Sequence, residues 1–334
     1  MRAVHLTRRG PDGGTLTTVD ADVPAPREDE VLVRVEACGL CGHDQADRYG
    51  LTRGAPPDPL VLGHEIAGTV EALGPAARGL AVGQRVASKQ FATCGRCRWC
   101  RSGEELRCPD RAFVYGGLAD DVLVRSSALL PVPDEVSSPV AAVVACAVGT
   151  ALQACRAVGV RAGESVLVTG AGGGLGLHGV QVAAALGARV TGLTGSPEKA
   201  ETVLAAGADR VLHTADVVGR RSSPGPAVDV VLDTVGAPET FTALLRGLVH
   251  GGRLVLVGQQ TGRPVSFHPF HLLSRELVVT GSESTSAATF AEALRWVASG
   301  TVVPVVRPYP MDMVAEAFAD MDRRAVAGRA VVVP

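Results

Sequence analysis

The chain has 334 residues, 46% of them apolar and 20% charged, with a formal net charge of −2 at neutral pH. That length holds about two domains, and the balance of charge excludes a general attraction to nucleic acid or to an anionic membrane. Lys89 and Lys199 are the two lysines among 32 basic residues, and no run of like charges occurs.

The opening stretch, MRAVHLTRRGPDGG, lacks the ~7–15-residue apolar core of a signal peptide. A cytoplasmic protein is expected, where thiols stay reduced and clustered cysteines point to metal rather than disulfides. Further on, CGLCGHD at 38–44 packs Cys38, Cys41, His43 and Asp44 into seven positions. Two thiols and an imidazole suit a redox pair, a complete metal site, or one corner of a site finished elsewhere. The apolar stretch LVLGHEIAGTVEALG then carries His64 and Glu65 on an expected strand or strand edge. Buried charge is costly without a partner. Alone, His64 reads as a satisfied buried histidine; beside Cys41 it becomes a metal-ligand candidate.

Four of the eight cysteines fall in CGRCRWCRSGEELRC: Cys94, Cys97, Cys100 and Cys108, spaced C-x2-C-x2-C-x7-C. One loop wrapped around a tetrahedral ion explains such spacing, and a structural zinc is expected. An iron–sulfur cluster is the rival, but its bacterial run continues with x3-C-P, which is missing here. Phe91, Trp99, Phe113 and Tyr115 are pocket candidates that could equally be packing. The apolar run 139–160 approaches membrane-span length, yet Thr150, Gln153 and Arg156 interrupt it; a buried helical segment is the better reading.

From residue 164 the pattern changes. ESVLVTGAGGGLGLHGVQVAAALGARVTGLTGSPEKA reads as strand, glycine turn, helix and second strand. Gly170, Gly172, Gly173, Gly174, Leu175 and Gly176 form the turn that would let a backbone approach a pyrophosphate at a helix N-terminus. Strands are expected at Val166–Val168, Arg189–Thr194, Arg210–Leu212, Val228–Leu232, Arg253–Val257 and Leu277–Thr280. Helices are expected at Leu175–Leu186, Pro197–Ala206 and Glu239–Val249. Together these predict an α/β doubly wound parallel Rossmann sheet that binds a dinucleotide; a flavin could use the same fold, but no second acceptor site is evident and a nicotinamide cofactor is favoured. The second strand ends at Thr194, with Ser196 and Lys199 after it and no carboxylate before Glu198. Nothing there repels a 2′-phosphate, so NADP is favoured over NAD, which stays possible.

Together the parts resemble the zinc-containing medium-chain dehydrogenase/reductase family, alcohol dehydrogenase type, over essentially the whole chain. GHEIAGTVEALGPAA at 63–77 is similar to its zinc motif, GLCGHD to its Gly-Ile-Cys-x-Thr/Ser-Asp segment, CGRCRWCRSGEELRC to its structural-zinc lobe, and VACAVGTALQA to the segment with its third ligand. The resemblance implies a GroES-like, mainly-β catalytic domain at 1–146 with 285–334 and a Rossmann domain at 147–284. It implies two zinc ions per chain. Cys41, His64 and Cys146 would hold the catalytic ion and the four lobe cysteines the structural one. Asp44 would orient His64, Glu65 would lie behind the metal, and backbone groups near Val257 and Gly258 would fix the nicotinamide carboxamide. Cys38 and Cys155 would be buried bystanders.

Two positions depart from the family's pattern: His43 replaces the usual Thr or Ser, and Ala46 replaces a frequent histidine. His43 either relays the substrate proton or only shapes the pocket. The implied function is a zinc-dependent alcohol dehydrogenase/carbonyl reductase, a homodimer or homotetramer with LVVTGS as a plausible dimer strand. The alternative is an enoyl reductase acting on an acyl-CoA or natural-product intermediate, favoured by GAGGGLG and by the stretch 251–282. A binding protein that merely keeps zinc and dinucleotide is a further rival.

Overall fold

The computed structural model describes residues 1–52, 58–218, 225–259 and 262–334, in two compact units. The first comprises Met1–Gly149, Ser284–Gly300 and Pro304–Pro334; the second comprises Thr150–Glu283 with Thr301–Val303.

The first unit is built on a mixed seven-stranded sheet, ordered Leu129–Pro131, Arg85–Ser88, Glu65–Leu73, Glu30–Leu40, Arg329–Val333 and Val306–Pro310, with Asp121–Arg125 also pairing Glu30–Leu40. Glu30–Leu40 is buried on both faces through Val31, Val33, Val35, Ala37 and Cys38. Its end lies between Glu65–Leu73 and Arg329–Val333, with Gly39 opposite both Glu65 and Val331. Residues that the sequence separates by about the whole chain therefore meet at one end of this strand. Val4, Leu6, Ile66, Leu118 and Phe318 belong to the core beneath; each such side chain contributes about 1.5–3 kcal/mol when fully buried.

In the second unit six parallel strands run in the order Arg210–His213, Arg189–Thr194, Ser165–Thr169, Val228–Asp233, Leu248–Leu256 and Val278–Gly281. This is the doubly wound order, with the reversal beside the strand that feeds the glycine turn. The central strands are apolar on both faces because helices cover both sides of such a sheet. Three expected boundaries shift. The helix Pro238–Arg246 stops at Gly247 and does not reach Val249, because Leu248 pairs with Val228 and opens the fifth strand. That strand, Leu248–Leu256, accordingly starts before Arg253. The stretch after Ser196 opens as a 3-10 turn, Pro197–Lys199, and becomes α-helical at Ala200–Ala205.

The apolar run Ser138–Ala157 is helical, with a π-helical turn at Val144–Gly149, and 72% of its most apolar window is buried inside the protein. Burial accounts for its composition.

Candidate metal centres and cofactor turn

Cys41 caps the short helix Gly42–Arg48 that follows the strand Glu30–Leu40. Its thiol accepts the His43 N–H at 3.2 Å, while the Asp44 carboxylate accepts the Cys41 N–H at 2.8 Å, a reciprocal capping pair. The other Asp44 oxygen accepts the Gly63 N–H at 3.1 Å and stands 3.4 Å from His64 Nδ1. One buried carboxylate thus ties the Cys41 segment to the His64 segment and sets the histidine ring. Gly63 is required in this corner: its φ is +94° and a Cβ would meet the Cys38 sulfur at 2.4 Å.

Cys41, His64, Glu65 and Cys146 bring ligand atoms within 4.8 Å of one another. Cys41 Sγ lies 3.3 Å from His64 Nε2, near the roughly 3.6 Å expected across a tetrahedral zinc with ordinary bond lengths. Cys146 comes from the π-helical turn, a geometry frequent at functional sites. Behind these groups stands Arg329, with Nε 3.4 Å from Glu65 Oε2 and a terminal nitrogen 3.9 Å from Cys146 Sγ. His64 Nδ1, both Glu65 oxygens and Arg329 Nε are buried and make no hydrogen bond among the described residues. Burial pushes the Glu65 carboxyl up to about 7 although Arg329 pulls it down. Cys146, by hydrogen bonding, holds the Cys41 thiol well below its usual range, with His64 adding to the effect. Two thiols and an imidazole form a donor set that fits zinc, with the Glu65 carboxylate within the same 4.8 Å but paired with Arg329.

His43 stands beside this centre and is half-exposed. Its ring stacks on Phe113 at 4.5 Å and meets His64 edge-on at 5.6 Å. Its Nε2 is 3.5 Å from the Tyr115 hydroxyl and 3.6 Å from Asp47 Oδ2. Asp47 is fully buried and also accepts from Thr52 at 2.5 Å and Tyr115 at 3.1 Å. Phe91 packs edge-on against Phe113 at 5.2 Å, so three of the four aromatic candidates form one wall. Trp99 does not join them; Arg98 and Arg107 cover its ring in the cysteine lobe.

The lobe cysteines Cys94, Cys97, Cys100 and Cys108 are all reduced and mutually close. Sulfur–sulfur distances are 3.5 Å for Cys97–Cys100, 3.6 Å for Cys94–Cys108 and 3.9 Å for Cys94–Cys100. A tetrahedral zinc with Zn–S bonds of ~2.3 Å sets its sulfurs roughly 3.8 Å apart, so the four fit one ion. Cys38 is buried outside both groups, with its thiol directed at the Gly39 carbonyl. Cys155 is buried in the second unit, where desolvation pushes its thiol up to about 12.

In the second unit the turn runs from Gly170 to the helix Gly174–Ala185, with Gly173 as its N-cap and Leu175 in the first turn. Gly176 packs so closely that a Cβ would sit 2.2 Å from the Gly170 carbonyl oxygen. Across from Gly172 lie Thr194 and the stem of Lys199. Ser196 donates its N–H to Thr194 Oγ1 at 3.1 Å, and all three side chains are buried. The structure thus gathers these three at the glycine turn. The Val257 and Gly258 N–H groups both donate to the Asp233 carbonyl, at 2.9 and 3.2 Å. Any carboxamide held at that point would have to meet their carbonyls.

Sequence reasoning passed over Arg329 and Asp47. A charged residue inside the apolar C-terminal run GRAVVVP was the available signal for the first; the i,i+4 spacing from His43 was the signal for the second.

Residues 27–134 match the model of the alcohol dehydrogenase GroES-like domain, and residues 174–299 match that of the zinc-binding dehydrogenase domain. An acryloyl-coenzyme A reductase of Metallosphaera sedula is 36% identical, with 85% of each chain covered. An NAD-dependent alcohol dehydrogenase of Saccharolobus solfataricus is 30% identical over the full length of both chains. The solved structure of a cobalt- and zinc-bound thermostable alcohol dehydrogenase from Pyrobaculum aerophilum superposes with a TM-score of 0.90. It is 28% identical, and 100% of this chain and 99% of that one are covered.

Proposed function

The chain belongs to the zinc-containing medium-chain dehydrogenase/reductase family and is an oxidoreductase, and from that premise we propose an alcohol dehydrogenase/carbonyl reductase that uses NADP(H) in preference to NAD(H). The observation that carries this reading is the convergence of Cys41, His64 and Cys146 within 4.8 Å, with Glu65 and Arg329 behind them. Cys41, His64 and Cys146 would hold a metal by three protein groups, the number found in sites that also admit a substrate oxygen. A zinc ion bound there would supply Lewis acidity to that oxygen, and a bound nicotinamide would give or accept the hydride.

This chain's own residues do the rest. Asp44 presents His64 in one orientation by holding both the Cys41 and Gly63 amides. Arg329 keeps a compensating positive charge against Glu65. His43, backed by Asp47 and Tyr115, is placed to give or take the proton that balances each hydride. His43→Ala would then lower kcat about a hundredfold with metal content unchanged. An unaltered kcat would leave the ring as pocket wall. The four lobe cysteines would hold a second, structural zinc. The catalytic domain would span about 1–146 with 285–334 and the cofactor domain 147–284. The edge strand Val278–Gly281, with Val278 exposed, would pair with its copy in a homodimer or within a tetramer.

A second reading is supported by the acryloyl-coenzyme A reductase relative: an enoyl reductase acting on an acyl-CoA, with hydride delivered to the C=C bond. Incubating the metal-replete protein with NADPH and an α,β-unsaturated aldehyde separates the two. The allylic alcohol supports hydride delivery to the carbonyl carbon; the saturated aldehyde makes the enoyl reductase the better description.

A further inference from the structure

Three consecutive residues, Ser88, Lys89 and Gln90, bury polar groups against three different parts of the first unit. Ser88 Oγ donates to the His64 carbonyl at 3.0 Å and accepts the Ile66 N–H at 3.1 Å. Lys89, with 1% exposure, places Nζ 2.8 Å from Glu105 Oε1 in the cysteine lobe. Gln90 Oε1 accepts the Ser284 hydroxyl at 2.8 Å. The same Glu105 oxygen accepts the Ala287 N–H at 2.7 Å. Ala287 is the first residue of the helix Ala287–Ala298, which packs against the π-helical turn that carries Cys146. Thr285 presses on that turn from the same side: a Cβ on Gly149 would meet its hydroxyl at 2.9 Å.

A lysine this buried needs its counter-charge, because one partner left alone in a low-dielectric site is strongly destabilising. Glu105 sits in a three-residue turn between Cys100 and Cys108, and the lobe's other helix, Arg98–Arg101, has four residues. Elements so short hold no shape by themselves; a shared metal supplies the cross-links. Opening the lobe would withdraw Glu105 from Lys89 and from the first amide of the helix behind Cys146.

We propose that Lys89 is a positioning residue: through Glu105 it ties the cysteine lobe to the helix that backs Cys146, while Ser88 beside it holds the backbone of His64. The grip of Cys41, His64 and Cys146 on their metal therefore depends on the lobe being closed around its own. This rests on the reading that both clusters bind metal.

Cobalt is the probe, since a tetrathiolate site and a two-thiolate, one-imidazole site give distinct visible spectra. The measured quantity is the rate at which the Cys41/His64/Cys146 centre releases cobalt to a chelator. Disabling the lobe with Cys100→Ser should speed release about tenfold or more. Lys89→Met/Glu105→Gln, which removes both charges together, should do the same with the lobe still loaded. Adding Cys100→Ser to that double variant should change the rate by less than about twofold. If the variants fold poorly, the unmodified protein with its lobe progressively unloaded by limiting chelator gives the first comparison. Release indifferent to the lobe, or lesions whose effects multiply, would overturn the coupling. A centre that takes up no cobalt at all would instead defeat the functional reading beneath it.

Discussion

Arg329 and Glu65 meet 3.4 Å apart, Nε to Oε2, with 5% and 1% exposure, directly behind the cysteine–histidine centre. The strand pairing explains the meeting: Arg329–Val333 and Glu65–Leu73 flank the end of Glu30–Leu40 on opposite sides. Arg329 also donates to the Leu40 carbonyl at 3.4 Å, next to Cys41. Its guanidinium faces the buried Glu65 carboxylate and the Cys146 thiol of this cluster.

Removing that cation alone should be costly. Arg329→Met leaves Glu65 buried against Cys41 and Cys146, and losing one partner of a buried pair costs about 3–5 kcal/mol. Arg329→Met/Glu65→Gln should recover much of the loss. Thermal midpoints of the two variants check this; a double variant no more stable than the single one would show that Arg329 acts through packing.

A pH-dependent contribution is expected in the parallel sheet. Asp229 accepts both the Ser165 hydroxyl at 2.6 Å and the Ser165 N–H at 2.8 Å, and these bonds hold its carboxyl below the usual 3.8. A folded-state pKa below the unfolded one gives stability that is present above the unfolded value and lost as pH falls through the folded value. Asp229→Asn should cost about 1 kcal/mol at neutral pH, and the gap to the parent should close as the medium is taken well below pH 3.8. A gap constant with pH would mean that the carboxylate's charge is irrelevant.

Cofactor choice should turn on Lys199. Its stem lies against Gly172, beside Thr194 and Ser196. If its charge holds a 2′-phosphate, Lys199→Met should lower kcat/KM for NADPH by about ten- to a hundredfold and leave NADH within about threefold. Equal losses with both cofactors would make Lys199 a packing residue of the turn.

Much of the architecture is readable without coordinates, for physical reasons that also mark where reading stops. The lobe is local: four cysteines within fifteen residues can converge only by wrapping one loop. The glycine turn is local too, since strand, glycines and helix follow one another. The other centre is assembled from Cys41, His64 and Cys146, and no spacing rule joins residues that far apart; a likeness to known chains suggested the three. Arg329 was one arginine among thirty until the pairing of Arg329–Val333 with Glu30–Leu40 placed it. The Lys89–Glu105–Ala287 contact was equally hidden, because 182 positions separate its acceptor from its last donor. The end of the helix Pro238–Arg246 was missed for another reason: Leu248 and Val249 suit a helix as well as a strand, and pairing with Val228 decides.

The central claim is that Cys41, His64 and Cys146 hold the metal that does the chemistry, apart from the ion in the cysteine lobe. Metal content and turnover of Cys41→Ser, measured on the same preparation, test it most directly. The account predicts that metal falls from two equivalents to one while turnover drops about a thousandfold or more, the rate equivalent of ~4 kcal/mol. Turnover within about tenfold of the parent with a single metal bound would contradict it.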